Sequence, residues 1–267
     1  MSIARIVTFT TDFGLIEHYV GAMKGVIYSI NPAVTTVDIT NAVQSFDLLD
    51  GAIAISQAYR YFPKDTIHMV IVDPGVGGPR RPIVATSGQH IFLAPDNGVL
   101  SLVYEQEERV SVRHITASHY FLQPVSATFH GRDIFAVIAG YLSKGVDVAK
   151  FGEEITDYVR FVTPKPKATG PNAWKGIVLK VDKFGNLITN FSAFEVPGLF
   201  QSATPPFKIT VGKAQVTRMG TNYVGGAQGE AFAIVGSSGF LEISVNRGSA
   251  SHLAAAQKGS EVLLAIG

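Results

Sequence analysis

Asp73 stands at the end of an apolar run, Ile67 to Val72, and opens the loop Asp73-Pro74-Gly75-Val76-Gly77-Gly78-Pro79-Arg80-Arg81. The run reads as a buried strand. In an open α/β sheet, ligands gather at the carboxyl ends of strands. An acid at a strand end, with a guanidinium a few residues on, has the makings of a tuned carboxylate. Pro74 and Pro79 fix φ and stiffen the loop, while the three glycines let backbone pass close to a neighbour. A rigid turn with a surface ion pair would use the same residues. Further candidates are Asp12 in Thr11-Asp12-Phe13-Gly14, Asp96 in Pro95-Asp96-Asn97-Gly98, and His130 with Asp133 in Thr128-Phe129-His130-Gly131-Arg132-Asp133. With Arg80, Arg81 and Arg132 they could converge at one edge of a sheet. Carboxylates plus His suit a divalent ion. Paired-His spacing and a carboxylate-rich loop are both lacking, and Asp12 and Asp96 are each more often turn formers or caps than ligands. His68 lies inside a strand and reads as structural.

Two polar clusters follow in the second half. One is Asp182-Lys183-Phe184-Gly185-Asn186-Leu187-Ile188-Thr189-Asn190. The other is Gly236-Ser237-Ser238-Gly239-Phe240 with Asn246-Arg247-Gly248-Ser249 behind it. Asp182 beside Phe184 and Asn186 could bind an ammonium group and an adenine-like edge. A pair of hairpin turns is the plainer reading. Other motifs fail on inspection. Asp12-Phe13-Gly14 and His130-Gly131-Arg132-Asp133 echo protein-kinase pieces in reversed order. The glycines at 75–78 lack the dinucleotide pattern and carry prolines where a helix would start. There is no phosphate loop with Gly-Lys-Ser/Thr and no Gly-x-Ser-x-Gly elbow.

The elements that must position these residues read as α/β. The chain has 267 residues, 46% hydrophobic and 16% charged, enough for one large or two medium domains with a substantial core. A net charge of +1 leaves no electrostatic footprint for nucleic acid or an anionic membrane. With 0 Cys, disulfides, thiolate metal sites and Cys nucleophiles are excluded. No signal-peptide core and no membrane-spanning run is visible, so a soluble cytoplasmic protein is expected. Strands are predicted at 6–10, 34–39, 67–72, 82–87, 90–94 and 110–115. Helices are predicted at 18–30, 46–61 and 133–142. This alternation argues for an N-terminal α/β domain, 1–162, with a mostly parallel sheet covered by helices. The Pro-rich stretch 163–172 reads as a linker. Beyond it helical periodicity fades, and strands at 176–181, 187–190, 207–211, 231–235, 241–245 and 262–266 predict a small all-β domain, 173–267, a barrel or sandwich.

Five motifs in order carry a resemblance over nearly the whole chain. They are Thr10-Thr11-Asp12-Phe13-Gly14, Val72-Asp73-Pro74-Gly75-Val76-Gly77, Ala94-Pro95-Asp96-Asn97-Gly98, Phe129-His130-Gly131-Arg132-Asp133-Ile134-Phe135, and Asp182 through Asn190. Together they resemble the S-adenosyl-L-methionine (SAM) hydrolases, or SAM hydroxide adenosyltransferases, relatives of the fluorinases and chlorinases. The resemblance implies an N-terminal α/β domain and a C-terminal β-barrel. It implies a homotrimer holding substrate between one subunit's N-domain and its neighbour's C-domain. SAM would be substrate, with no cofactor and no metal. Asp73, Arg80 and His130 match the set that positions and activates water. Asp12 matches the acid on the ribose hydroxyls, and Phe46 the aromatic over the adenosyl group. Asp182 and Ser237 match contacts to the methionine ammonium and carboxylate. Asn186 and the backbone near Arg247 match adenine contacts, with Phe184 beside them. Ser238 replaces an Arg that the fluorinase places on the carboxylate, and Val137 replaces a Pro common in relatives. The halogenating relatives lack this Asp and His, and a carboxylate there would repel halide. The implied reaction is therefore hydrolysis of SAM to adenosine and L-methionine. A halide transferase, a metal-dependent hydrolase, and a non-catalytic SAM- or adenosine-binding module are the alternatives.

Overall fold

The structure, a computed structural model, describes residues 5–201 and 204–267. It divides into two compact units, the first ending at Thr163 and the second beginning at Pro164.

In the first unit the strands are β1 (Ile6–Thr11), β2 (Thr35–Thr40), β3 (Ile67–Ile71), β4 (Pro82–Ser87), β5 (His90–Pro95), β6 (Val110–His114) and β7 (Glu154–Ile155). The helices are α1 (Tyr19–Ile30), α2 (Leu48–Ala58), α3 (Ser101–Gln106) and α4 (Val137–Ser143), the last led in by a π-helical stretch, Gly131–Ala136. The sheet order is β2-β1-β3-β5-β4-β6-β7. Pairings from β2 to β5 are parallel; those from β5 to β7 are antiparallel. The expected mostly parallel sheet is thus parallel over only half its pairings. The cause is local. Gly88, at φ 56, and Gln89 join β4 to β5 as a tight hairpin, and a two-residue connection permits only antiparallel pairing.

β3 explains its own unbroken apolar run. Met69 and Ile71 pack into one core cluster with residues of α1 and α4, while Val70 and Val72 pack into another with residues of α2 and α3. Successive side chains point to opposite faces, so a strand covered on both must be apolar throughout. The strand therefore runs through the centre of the unit and releases Asp73 at its end. α2 starts at Leu48 rather than Phe46, because the Asp47 side chain accepts the Asp50 N–H at 3.0 Å and caps it.

The second unit holds β8 (Lys167–Gly170), β9 (Ala173–Val181), β10 (Leu187–Ser192), β11 (Phe207–Val211), β12 (Ala214–Val216), β13 (Met219–Gly220), β14 (Ala231–Val235), β15 (Phe240–Val245), the short α5 (Ala250–Ala254) and β16 (Glu261–Ile266). The order is β12-β11-β16-β9-β10-β15-β14-β13, with β8 also on β9. β12 and β13 stand at opposite ends of this order, yet only Thr217 and Arg218 separate them in the chain. The sheet must curl to allow that, giving a half-barrel around Val178, Leu187, Phe191, Ile209, Leu241 and Ile243. Residues 167–170, expected within the linker 163–172, instead pair with β9. Their backbone groups find partners there, which an exposed linker would leave to water. Among the described residues no helix is long and apolar enough to cross a membrane.

His68, on β3, is fully buried. Its Nδ1 is 2.8 Å from Thr8 Oγ1 and its Nε2 is 3.3 Å from His90 Nδ1. Burial, and then the neighbouring His90, push its pKa from 6.5 down to about 3. The unfolded chain takes up this proton near 6.5 and the folded chain only near 3, so folding stability falls as pH drops through that window. His68→Gln keeps a side chain able to bond Thr8 but cannot titrate. Its thermal midpoint should fall less steeply with acidification than the native protein's; an identical slope would assign the acid sensitivity elsewhere.

Candidate functional site

Arg80 joins the two other residues of its predicted set. Its Nε donates to Asp73 Oδ1 and Oδ2 at 3.0 Å each, and its Nη2 donates to Asp73 Oδ2 as well. The same Nη2 lies 2.9 Å from His130 Nδ1. The side chains are 10% exposed for Arg80 and 5% for Asp73, and the guanidinium lies over the Phe135 ring at 5.9 Å. A guanidinium has donors only, so His130 Nδ1 must accept. The neutral imidazole then carries its proton on Nε2. Burial first, and then the Arg80 charge, lower the His130 pKa against the opposing pull of Asp73 and Asp133. The imidazole is held neutral, with an N–H facing away from Arg80.

Two loops must meet for this. Gly77, at φ +76, sits so close to Ala127 that a Cβ would collide with its carbonyl oxygen. Both the left-handed backbone and the close approach demand glycine. The loop after β3 is thereby seated against the segment leading to His130. That segment is braced from behind by Asp133, fully buried, which accepts from Arg132 Nε at 2.6 Å and from the Ser126 N–H at 2.8 Å. Arg81 turns elsewhere. It bonds Asp96 at 2.7 Å and Asp157 at 2.8 Å, and Asp96 also accepts the Val159 N–H. Asp96 and Arg81 thus form a separate brace, outside the Asp73 group.

Asp12 and Phe46, far apart in sequence, are joined directly: Asp12 Oδ2 accepts the Phe46 N–H at 2.9 Å. Phe46 has φ 66 and is 72% exposed. A bulky residue in the left-handed region costs about 1–3 kcal/mol and persists only where its surroundings fix it. Here Asp12 does so, and the ring is presented to solvent. Phe13 meets Phe129 edge-on at 6.0 Å, so the Asp12 motif lies against the His130 motif. A cavity of about 300 Å³ opens beside them, lined by Phe13, His18, Tyr19, Ser126, Thr128, Phe129 and Arg132.

In the second unit a cavity of about 530 Å³ is lined by Asp182, Phe184, Asn186, Tyr223, Val245, Arg247 and Gly248. Asp182 builds one wall. Its Oδ1 accepts the N–H groups of Phe184 (2.9 Å) and Asn186 (2.8 Å), and its Oδ2 accepts from Asn186 Nδ2 at 2.8 Å. It is therefore both turn former and pocket residue, and it leaves Phe184 77% exposed. Arg247, at φ 53, also lines the cavity. Ser237 is exposed on the turn between β14 and β15 and does not line this cavity. Next to it the Ser238 hydroxyl is buried, with no hydrogen-bond partner among the described residues. Tyr223 escaped the sequence reading; an aromatic inside the glycine-rich stretch 220–229 was the one signal. Among the described residues no three His, Asp or Glu side chains form a group able to hold a metal ion.

The description "SAM hydroxide adenosyltransferase N-terminal domain" matches residues 7–152, and its C-terminal counterpart matches residues 176–263. The chain belongs to the SAM hydroxide adenosyltransferase family. A relative from Salinispora tropica, named (R)-S-adenosyl-L-methionine hydrolase, is 34% identical and 98% of each chain is covered. A fluorinase from Nocardia brasiliensis is 24% identical, covering 98% of this chain and 97% of its own. Among solved structures, an uncharacterized conserved protein from Thermotoga maritima superposes with a TM-score of 0.89 at 34% identity, covering 97% of this chain and 99% of that one. The two domains of the family fall on the two compact units.

Within this SAM hydroxide adenosyltransferase fold, the strained and exposed Phe46 allows binding to be tested apart from stability. Phe46→Gly relieves the left-handed strain and removes a ring that is already 72% exposed, so the thermal midpoint should not fall. Adenosine binding, measured by calorimetry, should weaken by about tenfold if the ring stacks on the nucleoside. Unchanged binding would remove Phe46 from the site.

Proposed function

We propose that this protein hydrolyses SAM to adenosine and L-methionine, by in-line attack of an oriented water on ribose C5′. The observation that carries the reading is the single guanidinium of Arg80 bonded to both Asp73 and His130. The name of the relative from Salinispora tropica supports the same activity.

The chemistry matches what these groups can do. As the C5′–S bond breaks, its electron pair stays on sulfur and a positive sulfonium becomes a neutral thioether. The leaving group needs no proton, and no cofactor or metal is called for. What remains is an aligned water and a destination for its proton. Alignment alone supplies up to roughly 7–11 kcal/mol in favourable cases. In this reading the His130 Nε2–H donates to the water oxygen and turns a lone pair toward C5′. The Asp73 carboxylate accepts the proton as the new O–C5′ bond forms. Asp12 takes the ribose hydroxyls with the oxygen Phe46 leaves free, and Phe46 covers the adenosyl group. In the second unit of a neighbouring subunit, Asp182 and Ser237 hold the methionine ammonium and carboxylate; Asn186, Phe184 and the backbone at Arg247 hold adenine. The assembly we propose is a cytoplasmic homotrimer, its second unit a small β-barrel.

A halide transferase is disfavoured by the Asp73 carboxylate, only 5% exposed, which would repel the incoming anion.

Turnover in oxygen-labelled water should place the label on the 5′-hydroxyl of adenosine, and activity should survive chelation. Asp73→Asn should leave SAM binding within a few-fold and cut kcat by about 10²–10⁴, the range for loss of a positioned acid or base. Unlabelled adenosine would overturn the mechanism; an unchanged rate in Asp73→Asn would overturn the role of Asp73.

A further inference from the structure

Glu242 is a buried carboxylate that the mechanism above does not use. It sits on β15 between Ile188 of β10 and Ile234 of β14, and is 6% exposed. Among the described residues no Lys, Arg or His pairs with it; its hydrogen-bond partner is the Tyr223 hydroxyl, which donates to Oε2 at 2.9 Å. A buried carboxylate with one neutral donor and no counter-charge is costly, and its cost invites a cation.

Three neighbours show where that cation would lie. Tyr223 lines the 530 Å³ cavity. Gly236, beside Ser237, packs on Glu242 Oε1 so tightly that a Cβ would strike it. Asp182, also lining the cavity, raises the Glu242 pKa after burial itself, while Tyr223 opposes the rise. Like charges within reach of each other are relieved by a cation placed near both. The Tyr223 pKa is pushed up to about 12, so its hydroxyl stays a donor and cannot supply charge.

We propose that Glu242 is a specificity residue of this pocket: behind Tyr223, and with Asp182, it supplies the negative charge that favours a cationic substrate over its uncharged fragment. The inference rests on the SAM reading. SAM carries an ammonium and a sulfonium; the product adenosine carries neither. L-Methionine keeps the ammonium, so the contrast that Glu242 draws is between SAM and adenosine.

The test is the ratio of two constants from initial rates: KM for SAM and the inhibition constant of adenosine. Glu242→Gln keeps an acceptor for Tyr223 and removes the charge. It should raise KM about tenfold, with kcat within threefold and the adenosine constant within twofold. Tyr223→Phe keeps the charge and removes the hydroxyl. It should shift both constants together and leave their ratio unchanged. The inference is overturned if Glu242→Gln leaves the ratio unchanged, if it weakens both ligands alike, or if Tyr223→Phe alters the ratio as much. Absence of SAM turnover in the native protein would instead overturn the parent reading, and this one with it.

Discussion

One guanidinium holds the first unit's candidate chemistry together. Arg80 gives Asp73 its counter-charge and gives His130 its orientation, using Nη2 for both. Removing one partner of a buried ion pair costs about 3–5 kcal/mol, because the other is left uncompensated. Arg80 also sets which nitrogen of the neutral His130 ring carries the proton. With Nδ1 occupied by an arginine N–H, the ring offers Nε2–H. In the proposed reaction this leaves proton acceptance to Asp73.

The rest of the first unit serves this contact. β3 buries both faces and so ends at a fixed place. The loop after it is stiffened by Pro74 and Pro79 and seated by Gly77 against Ala127. Arg81–Asp96 and Arg132–Asp133 brace the two flanking segments, each with a buried acid. These structural ion pairs begin one residue after the candidate residue Arg80 and two residues after the candidate residue His130. Phe46 adds a second device, an exposed ring held in a strained backbone by an acid that also belongs to the candidate site. In the second unit Asp182 serves likewise as turn former and pocket wall.

Much of this was legible in the sequence, and the exceptions have physical causes. The apolar run before Asp73, its loop glycines and the His130 motif are local patterns, and the structure joins Asp73, Arg80 and His130 as their order implied. The choice of Arg80 over Arg81 lay in family spacing; the geometry gives Arg81 to Asp96. Asp96, grouped with the other strand-end acids, faces a brace because β4 and β5 form a hairpin that brings Arg81 beside it. That hairpin also ended the parallel run, and periodicity cannot distinguish strand direction. β8 was hidden in a Pro-rich stretch whose composition reads as linker, since pairing partners are long-range information. Tyr223 and Glu242 gave no motif: one lies in a glycine-rich loop and the other alternates correctly along a strand. Only the curled sheet brings them together.

The tautomer of His130 tests the account most directly. Nitrogen-15 NMR on histidine-labelled protein, with His130→Gln used to assign its resonances, reads which ring nitrogen carries the proton. The account predicts a neutral ring near neutral pH, with Nε2 protonated and Nδ1 bare. A proton on Nδ1, or an imidazolium, would contradict it, because neither can accept the Arg80 hydrogen bond.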